Sequence, residues 1–299
     1  MITSRQNPRL KEVRCLRTRK GREERGQFIV EGIRPVGEAI EAGAKLAALY
    51  YAPELLTSEY ALGLIWRQEL AGMTCYPVKR EAFESIVEKE NPQGLLAVVQ
   101  APQRSLAELN RENFAWGVAV LAPQDPGNIG TILRTIDGVG ASGLLLLDDP
   151  QNEQYSAEAI HPNAVRASMG TLFWLPVVST TFDEFMSWAK NQAYTIYGTS
   201  AHASLDYRTI QAYSRPAILL LGSEQKGLNE RQTSQCDVLL SLPLHGRATS
   251  LNLAVAAGVF LYDMLMKGEA EERLRGSIFG DRAKAATARG ADREDIASD

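Results

Sequence analysis

Arg134, Glu224, Ser250 and Asn252 are the residues of this chain whose types and settings suit chemistry. They lie in three short segments of its second half: QDPGNIGTILRT (Gln124–Thr135), LLLGSEQKGL (Leu219–Leu228) and LPLHGRATSLNLAVAAG (Leu242–Gly258). Each segment sits where an apolar run gives way to a turn. Two carry glycines at that junction; the third carries a polar turn and then Ser-Leu-Asn opening a helix. Chains that turn sharply at the ends of buried strands usually build a ligand pocket there. A guanidinium, a carboxylate, a hydroxyl and an amide around such turns suggest a site that holds a cofactor and does chemistry.

Each residue also has a plainer reading. Asn128 follows a Pro-Gly turn and suits an N-cap, leaving free backbone N–H groups for an anion. Arg134 stands six residues on in an apolar stretch. Its charge must pair, face a site, or reach water from the helix edge. Glu224, between Gly222 and Gly227, either orients a donor group or is an exposed loop carboxylate. Ser250 suits the N-cap of the last helix. Asn252, in its first turn, is a buried amide that needs partners.

Other chemistries are excluded by spacing. GNIG lacks the G-x-G-x-x-G of a dinucleotide turn, although Asp148 and Asp149 follow about where a ribose-binding acid would. No Gly-Lys-Ser/Thr completes a phosphate loop. No G-x-S-x-G elbow is present, and Ser250 has no obvious His partner. His161, His202 and His245 show no metal-ligand spacing.

The elements that must position these residues form two units. Residues 1–102 alternate a basic helix, a strand at Gln27–Val30, helices near Arg34–Ala42, Ser58–Ala71 and Arg80–Ile86, and strands at Leu46–Tyr51, Thr74–Pro77 and Gly94–Gln100. Residues 103–113 are polar and read as a linker. Residues 114–268 begin with a strand at Val118–Ala122 and a helix from about Asn128 to Val139. Four consecutive leucines, Leu144–Leu147, mark a central parallel strand covered on both faces. Strands at Leu172–Val178, Tyr194–Thr199, Ala217–Leu221 and Val238–Leu242 continue the pattern, with helices near Asn163–Met169 and Phe182–Asn191. The last helix, Ser250–Met266, is apolar nearly all round and should be buried. The expected class is α/β, with a parallel sheet between helices. Residues 269–299 are charged and Ala-rich and read as a flexible tail.

The 299 residues suffice for two cores, and 45% hydrophobic with 23% charged is ordinary for a globular protein. No apolar run approaches the roughly 20 residues that span a bilayer. The start has no apolar core, so it is no signal peptide. Cys15, Cys75 and Cys236 read as free thiols of a reducing cytoplasm. The net charge of -4 hides an asymmetry: residues 1–25 hold nine Lys or Arg, among them Arg14, Arg17 and Arg19, against three acids. A basic face of that density suits RNA phosphates, or is a solvated helix face.

Together the three segments resemble the SpoU (TrmH-type) family of SPOUT RNA 2′-O-ribose methyltransferases. The resemblance rests on Asn128, Gly130, Arg134 and Thr135; on Gly222, Glu224, Gly227 and Leu228; and on Pro243, Ser250, Leu251 and Asn252, in that order. Val165–Val177 resembles the family's intervening segment. FIVEG (Phe28–Gly32) and NPQGLLAVV (Asn91–Val99) resemble the RNA-binding domain often fused in front. Gln225 stands where glycine is frequent, and Ile136 and Gly138 where alanine is common.

The resemblance implies a trefoil knot at the carboxy end of the second domain and a homodimer whose interface completes the site. It implies S-adenosyl-L-methionine against Gly222, Leu242 and Leu251, with Thr199 and Pro243 beside them. It implies methyl transfer to a ribose 2′-hydroxyl of rRNA, with tRNA as the alternative substrate and a non-catalytic ribosome-assembly protein as the alternative class. Neither metal nor membrane is implied. Arg134 is the candidate acceptor for the hydroxyl proton. Guanidinium is a very weak base, so orienting the phosphate and stabilising the alkoxide is its other role. Asn128, Glu224, Ser250 and Asn252 would position ribose, Arg134 and one another.

Overall fold

The computed structural model describes residues 1–88 and 91–268; the expected tail at 269–299 lies outside the described residues. The basic amino-terminal run forms two short helices, α1 (Pro8–Cys15) and α2 (Arg19–Arg25), not one. Thr18 causes the break: its side chain accepts from Gly21 N and caps α2, and Gly26 ends α2 in a left-handed conformation.

Strand β1 (Gln27–Glu31), helix α3 (Ile33–Glu41), β2 (Leu46–Tyr51), α4 (Glu59–Leu70), β3 (Cys75–Pro77), α5 (Arg80–Phe83) and β4 (Leu95–Gln100) follow. The four strands form one sheet in the order β1-β4-β2-β3, antiparallel except for β2 with β3. The expected helix at 80–86 stops after a single turn.

The second sheet is built from β5 (Trp116–Leu121), β6 (Leu144–Asp148), β7 (Val177–Thr181), β8 (Thr195–Thr199), β9 (Leu205–Asp206), β10 (Ala217–Leu221) and β11 (Val238–Ser241). Its order is β7-β6-β5-β10-β8-β11-β9, and every pairing is parallel. Helices α6 (Pro126–Val139), α7 (Pro162–Ser168), α8 (Phe182–Asn191), α9 (Glu230–Thr233) and α10 (253–268) complete it. Leu144 and Leu146 point into one core and Leu145 and Leu147 into the other, as side-chain alternation along a doubly covered strand requires. The expected strand at Leu172–Val178 begins instead as a 3-10 turn, Thr171–Phe173, with β7 only after Pro176.

The chain runs out to β8 and on to the edge strand β9, returns to the sheet centre for β10, goes out again to β11 and comes back as α10 beside α6. Gly138 and Gly258 sit where those helices face each other. That is the crossing order expected of the carboxy-terminal knot. α10 is not wholly buried: Leu253, Ala257, Phe260, Leu261 and Met264 pack inward, whereas Val255, Tyr262 and Met266 are 53%, 51% and 64% exposed. A nearly all-apolar helix is here covered on one side only, leaving an open stripe.

The two sheets are joined by direct packing. Phe28 of β1 stacks on Phe173 with ring centroids 6.4 Å apart. Arg22 of α2, only 2% exposed, pairs with Glu158 ahead of α7. It also donates to the carbonyls of Leu16 at 3.0 Å and Arg17 at 2.9 Å. Arg166 and Glu88 add a looser pair at 3.5 Å.

Candidate active site

The first segment leaves β5 through Ala122, turns, and enters α6 with Pro126 in its first turn. Asp125, not Asn128, is the N-cap, its side chain accepting from Gly127 N at 2.8 Å. The Pro-Gly pair is the first turn of the helix rather than the turn before it. Asn128 is therefore inside the helix and nearly buried, at 7% exposure. Gly130 is a packing residue: a Cβ there would lie 2.4 Å from the Ala164 carbonyl of α7.

The second segment leaves β10 at Gly222 and closes on itself. A Cβ at Gly222 would lie 2.2 Å from the Gly227 carbonyl carbon, and Gly227 adopts φ +63°. The glycines thus permit the loop's own close approach. Beyond the loop, α9 is tied down by Asp149, which is 1% exposed. Its carboxylate accepts from Asn152 at 2.8 Å, Arg231 at 2.8 Å and Gln232 at 2.6 Å. Burial alone would raise the Asp149 carboxyl; these hydrogen bonds outweigh it and hold it below the usual carboxylate range.

In the third segment α10 begins at residue 253, so Asn252 is its N-cap and Ser250 is not. The Asn252 Oδ1 accepts from Ala254 N at 2.9 Å and Val255 N at 3.3 Å. With that oxygen engaged, the Asn252 amide turns its nitrogen to Asn128 Oδ1 at 2.9 Å. Asn128 in turn donates through Nδ2 to Glu224 Oε1 at 3.0 Å. The other Glu224 oxygen accepts from Gln124 N at 3.1 Å. One directed chain of hydrogen bonds therefore joins all three segments, running from the N-terminus of α10 through two amides to the Glu224 carboxylate. It makes Glu224 a bound carboxylate rather than a free loop acid. Asn252 itself is exposed; the buried amide is Asn128.

Beside this chain lies a cleft of ≈ 350 Å³, walled by Thr199, Gly222, Glu224, Leu242, Ser250 and Leu251. Its walls come from the carboxyl ends of β8, β10 and β11, where ligands of parallel sheets bind. Its size falls in the range of about 300–1,000 Å³ of small-molecule sites, and leucines around a few polar groups suit one. The donor set fits S-adenosyl-L-methionine: apolar faces from Leu242 and Leu251, and oxygens from Thr199, Ser250 and Glu224. Pro243 is not among the lining residues.

Arg134 is not brought to this cleft. It lies on the exposed face of α6 with Thr131 and Asp137, and it makes no hydrogen bond or ion pair with the described residues. Six residues of helix place it about 9 Å along the axis from Asn128. The amino-terminal arginines are also placed differently from the free basic face expected. Arg14 donates to Ser85 Oγ at 3.0 Å and to the Arg5 carbonyl at 2.7 Å, and Arg17 donates to the Val87 carbonyl. Arg19 is exposed but pairs with Glu23 at 2.7 Å.

Sequence reasoning noted Asp149 only as an acid at the end of a strand and missed its role in holding Arg231 and Gln232. It also missed Gln124, which acts through its backbone and leaves no signal. Among the described residues no group of His, Cys, Asp or Glu could hold a metal, and no helix is long and apolar enough to cross a membrane.

A family model described as the SpoU rRNA Methylase family matches residues 116–262, and one described as an MRM3-like substrate binding domain matches residues 7–97. The chain is 34% identical over 271 residues to a 23S rRNA (uridine(2479)-2′-O)-methyltransferase of Streptomyces viridochromogenes, covering 88% of this chain and 90% of that one. It is 29% identical over 264 residues to a 23S rRNA (guanosine(2553)-2′-O)-methyltransferase of Bacillus subtilis, covering 88% and 98%. Its fold superposes with TM-score 0.78 on an AdoMet-bound rRNA methyltransferase from Sinorhizobium meliloti, at 31% identity over 88% of this chain and 96% of the other.

Proposed function

This chain belongs to the SpoU rRNA methylase family, and from that premise we propose that it methylates a ribose 2′-hydroxyl of rRNA. S-adenosyl-L-methionine, bound in the cleft, supplies an activated sulfonium methyl. What remains for the protein is to align the hydroxyl with that methyl and to assist loss of its proton. The observation that carries this reading is the hydrogen-bonded chain Asn252–Asn128–Glu224 beside a cleft of fitting size. Its direction leaves the Glu224 carboxylate as the terminal acceptor, facing the cleft. A bound carboxylate there can accept from a ribose hydroxyl and hold it in line. Ser250, exposed in the cleft wall, is a second hydroxyl-positioning group.

Arg134 enters this scheme through a homodimer. The stripe Val255, Tyr262 and Met266 lies on one side of α10, against the helix that carries Arg134. Pairing of that face with a second copy would bury the stripe and bring Arg134 to the partner's cleft. There a guanidinium stabilises a developing alkoxide and orients the neighbouring phosphate. The amino-terminal domain, docked on α7, presents rRNA to the site, and the protein works in the cytoplasm with rRNA rather than tRNA as substrate.

The test combines calorimetric titration with S-adenosyl-L-methionine and ribose-methylation mapping of rRNA from cells lacking the gene, before and after treatment with the protein. One new methylated ribose in rRNA is expected. Cofactor binding with no methylation of any rRNA would overturn the substrate assignment, and failure to bind the cofactor would overturn the whole reading. Sedimentation at micromolar concentration tests the dimer; a wild-type monomer would refute it.

A further inference from the structure

On the other side of the Glu224 loop from the cleft is a second, smaller cavity of ≈ 220 Å³. Its walls include Gln124, Glu153, Gln154, Tyr155, Gln225 and Lys226. Gln225 and Lys226 also line the cofactor cleft, so one loop separates the two spaces. The volume is below the roughly 300 Å³ at which drug-sized ligand sites begin. It suits one planar ring system.

The walls are held before any ligand arrives. Gln124 Nε2 donates to the Tyr155 carbonyl at 2.7 Å and to the Ala122 carbonyl at 2.9 Å. Asp149 N donates to the Gln154 carbonyl at 2.7 Å, and Ala157 N to the Pro123 carbonyl at 2.7 Å. The far end of this segment is Glu158, paired with the buried Arg22 of the amino-terminal domain. Within this fixed frame the Gln154 Oε1 is buried with no hydrogen-bond partner. A buried amide oxygen of this kind calls for a donor. Tyr155, in contrast, leaves its ring 51% exposed at the rim.

Three amides and a carboxylate beside an open aromatic ring form a base-reading set; Lys226 is the one cation among the lining residues and could meet a flanking phosphate. Unstacked RNA bases lie on aromatic rings and hydrogen-bond through their edges, and Gln and Glu are side chains that read those edges. We propose that this cavity receives the target nucleobase, stacked on Tyr155, with the Gln154 amide rotating out of its buried, unpartnered position so that Oε1 accepts an N–H of the base's edge. The inference rests on the methyltransferase reading above. With the base here and the methyl donor in the cleft, the ribose lies between them at Glu224. An extruded base must leave its stack, and the protein meets that loss with a replacement stack and edge contacts.

The test uses the full chain and a short RNA bearing the mapped target nucleotide, together with its three base-swapped versions. Tyr155→Ala should lower single-turnover methyl transfer about ten- to a hundredfold, the worth of one base–aromatic stack. Tyr155→Trp should retain transfer. Gln154→Leu should lower transfer to the natural base most and narrow the preference over the swapped RNAs, whereas Gln154→Glu, which keeps an acceptor, should retain the preference. Cofactor affinity should not change in any of the four. Equal loss on all four RNAs in Gln154→Leu, wild-type behaviour of Tyr155→Ala and Gln154→Leu, or loss of cofactor affinity alongside transfer would overturn the base pocket while leaving the activity standing. A wild-type protein that methylates no RNA would refute the activity itself, and this inference with it.

Discussion

Replacing Asn128 by Asp puts one carboxylate against another. Asn128 is 7% exposed and donates through Nδ2 to Glu224 Oε1 at 3.0 Å. Asp has the same shape and still accepts from Asn252, but toward Glu224 it offers an oxygen instead of an N–H. The variant loses a hydrogen bond to a charged group, about 1.5–3 kcal/mol, and gains like-charge repulsion. The alternative is for the two carboxylates to share a proton. Taking up that proton at pH 7 against an ordinary carboxyl pKa near 4 costs about 4 kcal/mol, which sets the ceiling. The expected loss at pH 7–8 is therefore about 2–4 kcal/mol, or roughly 4–16 °C in Tm.

The pH dependence has a definite sign. The pair's folded-state pKa is raised above its unfolded value, so the folded variant holds a proton that the unfolded chain does not. Stability relative to wild type must then recover as pH falls through the raised pKa toward the unfolded value. Thermal unfolding at pH 5 to 8 reads this as a shrinking Tm gap. Adding Glu224→Gln reverses the network: the new amide donates to the introduced carboxylate and its oxygen still accepts Gln124 N. The double variant should recover most of the loss and show a pH-independent gap. A deficit in Asn128→Asp that is the same at pH 5 and pH 8, with no rescue in the double variant, would refute the contact between Asn128 and Glu224.

Arg134→Ala should leave Tm and cofactor affinity within error, because Arg134 is exposed and unpaired in the single chain, yet lower single-turnover transfer by orders of magnitude; transfer at the wild-type rate would make it a surface residue only. Arg22→Leu strands Glu158 and two carbonyls at the junction of the two sheets and should cost about 3–5 kcal/mol in urea unfolding; a change under about 1 kcal/mol would contradict the burial of that pair. The Asp149 carboxyl is held below its ordinary range, so its contribution is present above pH 4 and lost as pH falls further; Asp149→Asn should be less stable at pH 7 and show a shallower acid decline between pH 5 and 3. Burial pushes the Cys75 thiol up to about 11 and Cys236 to about 12, so iodoacetamide at pH 8 should label the exposed Cys15 first, which peptide mass mapping reads directly.

Much of the site was legible because its residue types have few other uses in those places. Amides and a carboxylate at strand-to-helix turns stand out against apolar runs, and the leucine run Leu144–Leu147 locates a strand buried on both faces; Arg134 stood out by the same logic but lies on the exposed face of α6, away from the cleft. Element boundaries were less legible. Asp125 and Asn128 are both good caps, and only the path of the chain out of Ala122 decided between them. The Leu172–Val178 segment has strand-like residues, but the docking of Phe173 on Phe28, the turn that Leu175 N closes on the Thr171 carbonyl, and the missing N–H of Pro176 delay the strand to Val177.

What the sequence by itself determined was the parallel α/β class, the two-unit organisation and the three segments that the hydrogen-bond chain joins beside the cleft. These follow from periodicity and from turn chemistry, which are local. The tertiary structure alone decided the order of strands, the return of α10 to α6, the direction of the Asn252–Asn128–Glu224 chain and the withdrawal of Arg14 and Arg17 into their own domain. Those outcomes depend on which side chains from distant positions share one desolvated space. Residues 128, 224 and 252 are far apart in the chain, and nothing in their local sequence says that one amide will point its nitrogen at the next. Once the Asn252 oxygen caps α10, each remaining donor has one acceptor within reach, and the arrangement follows.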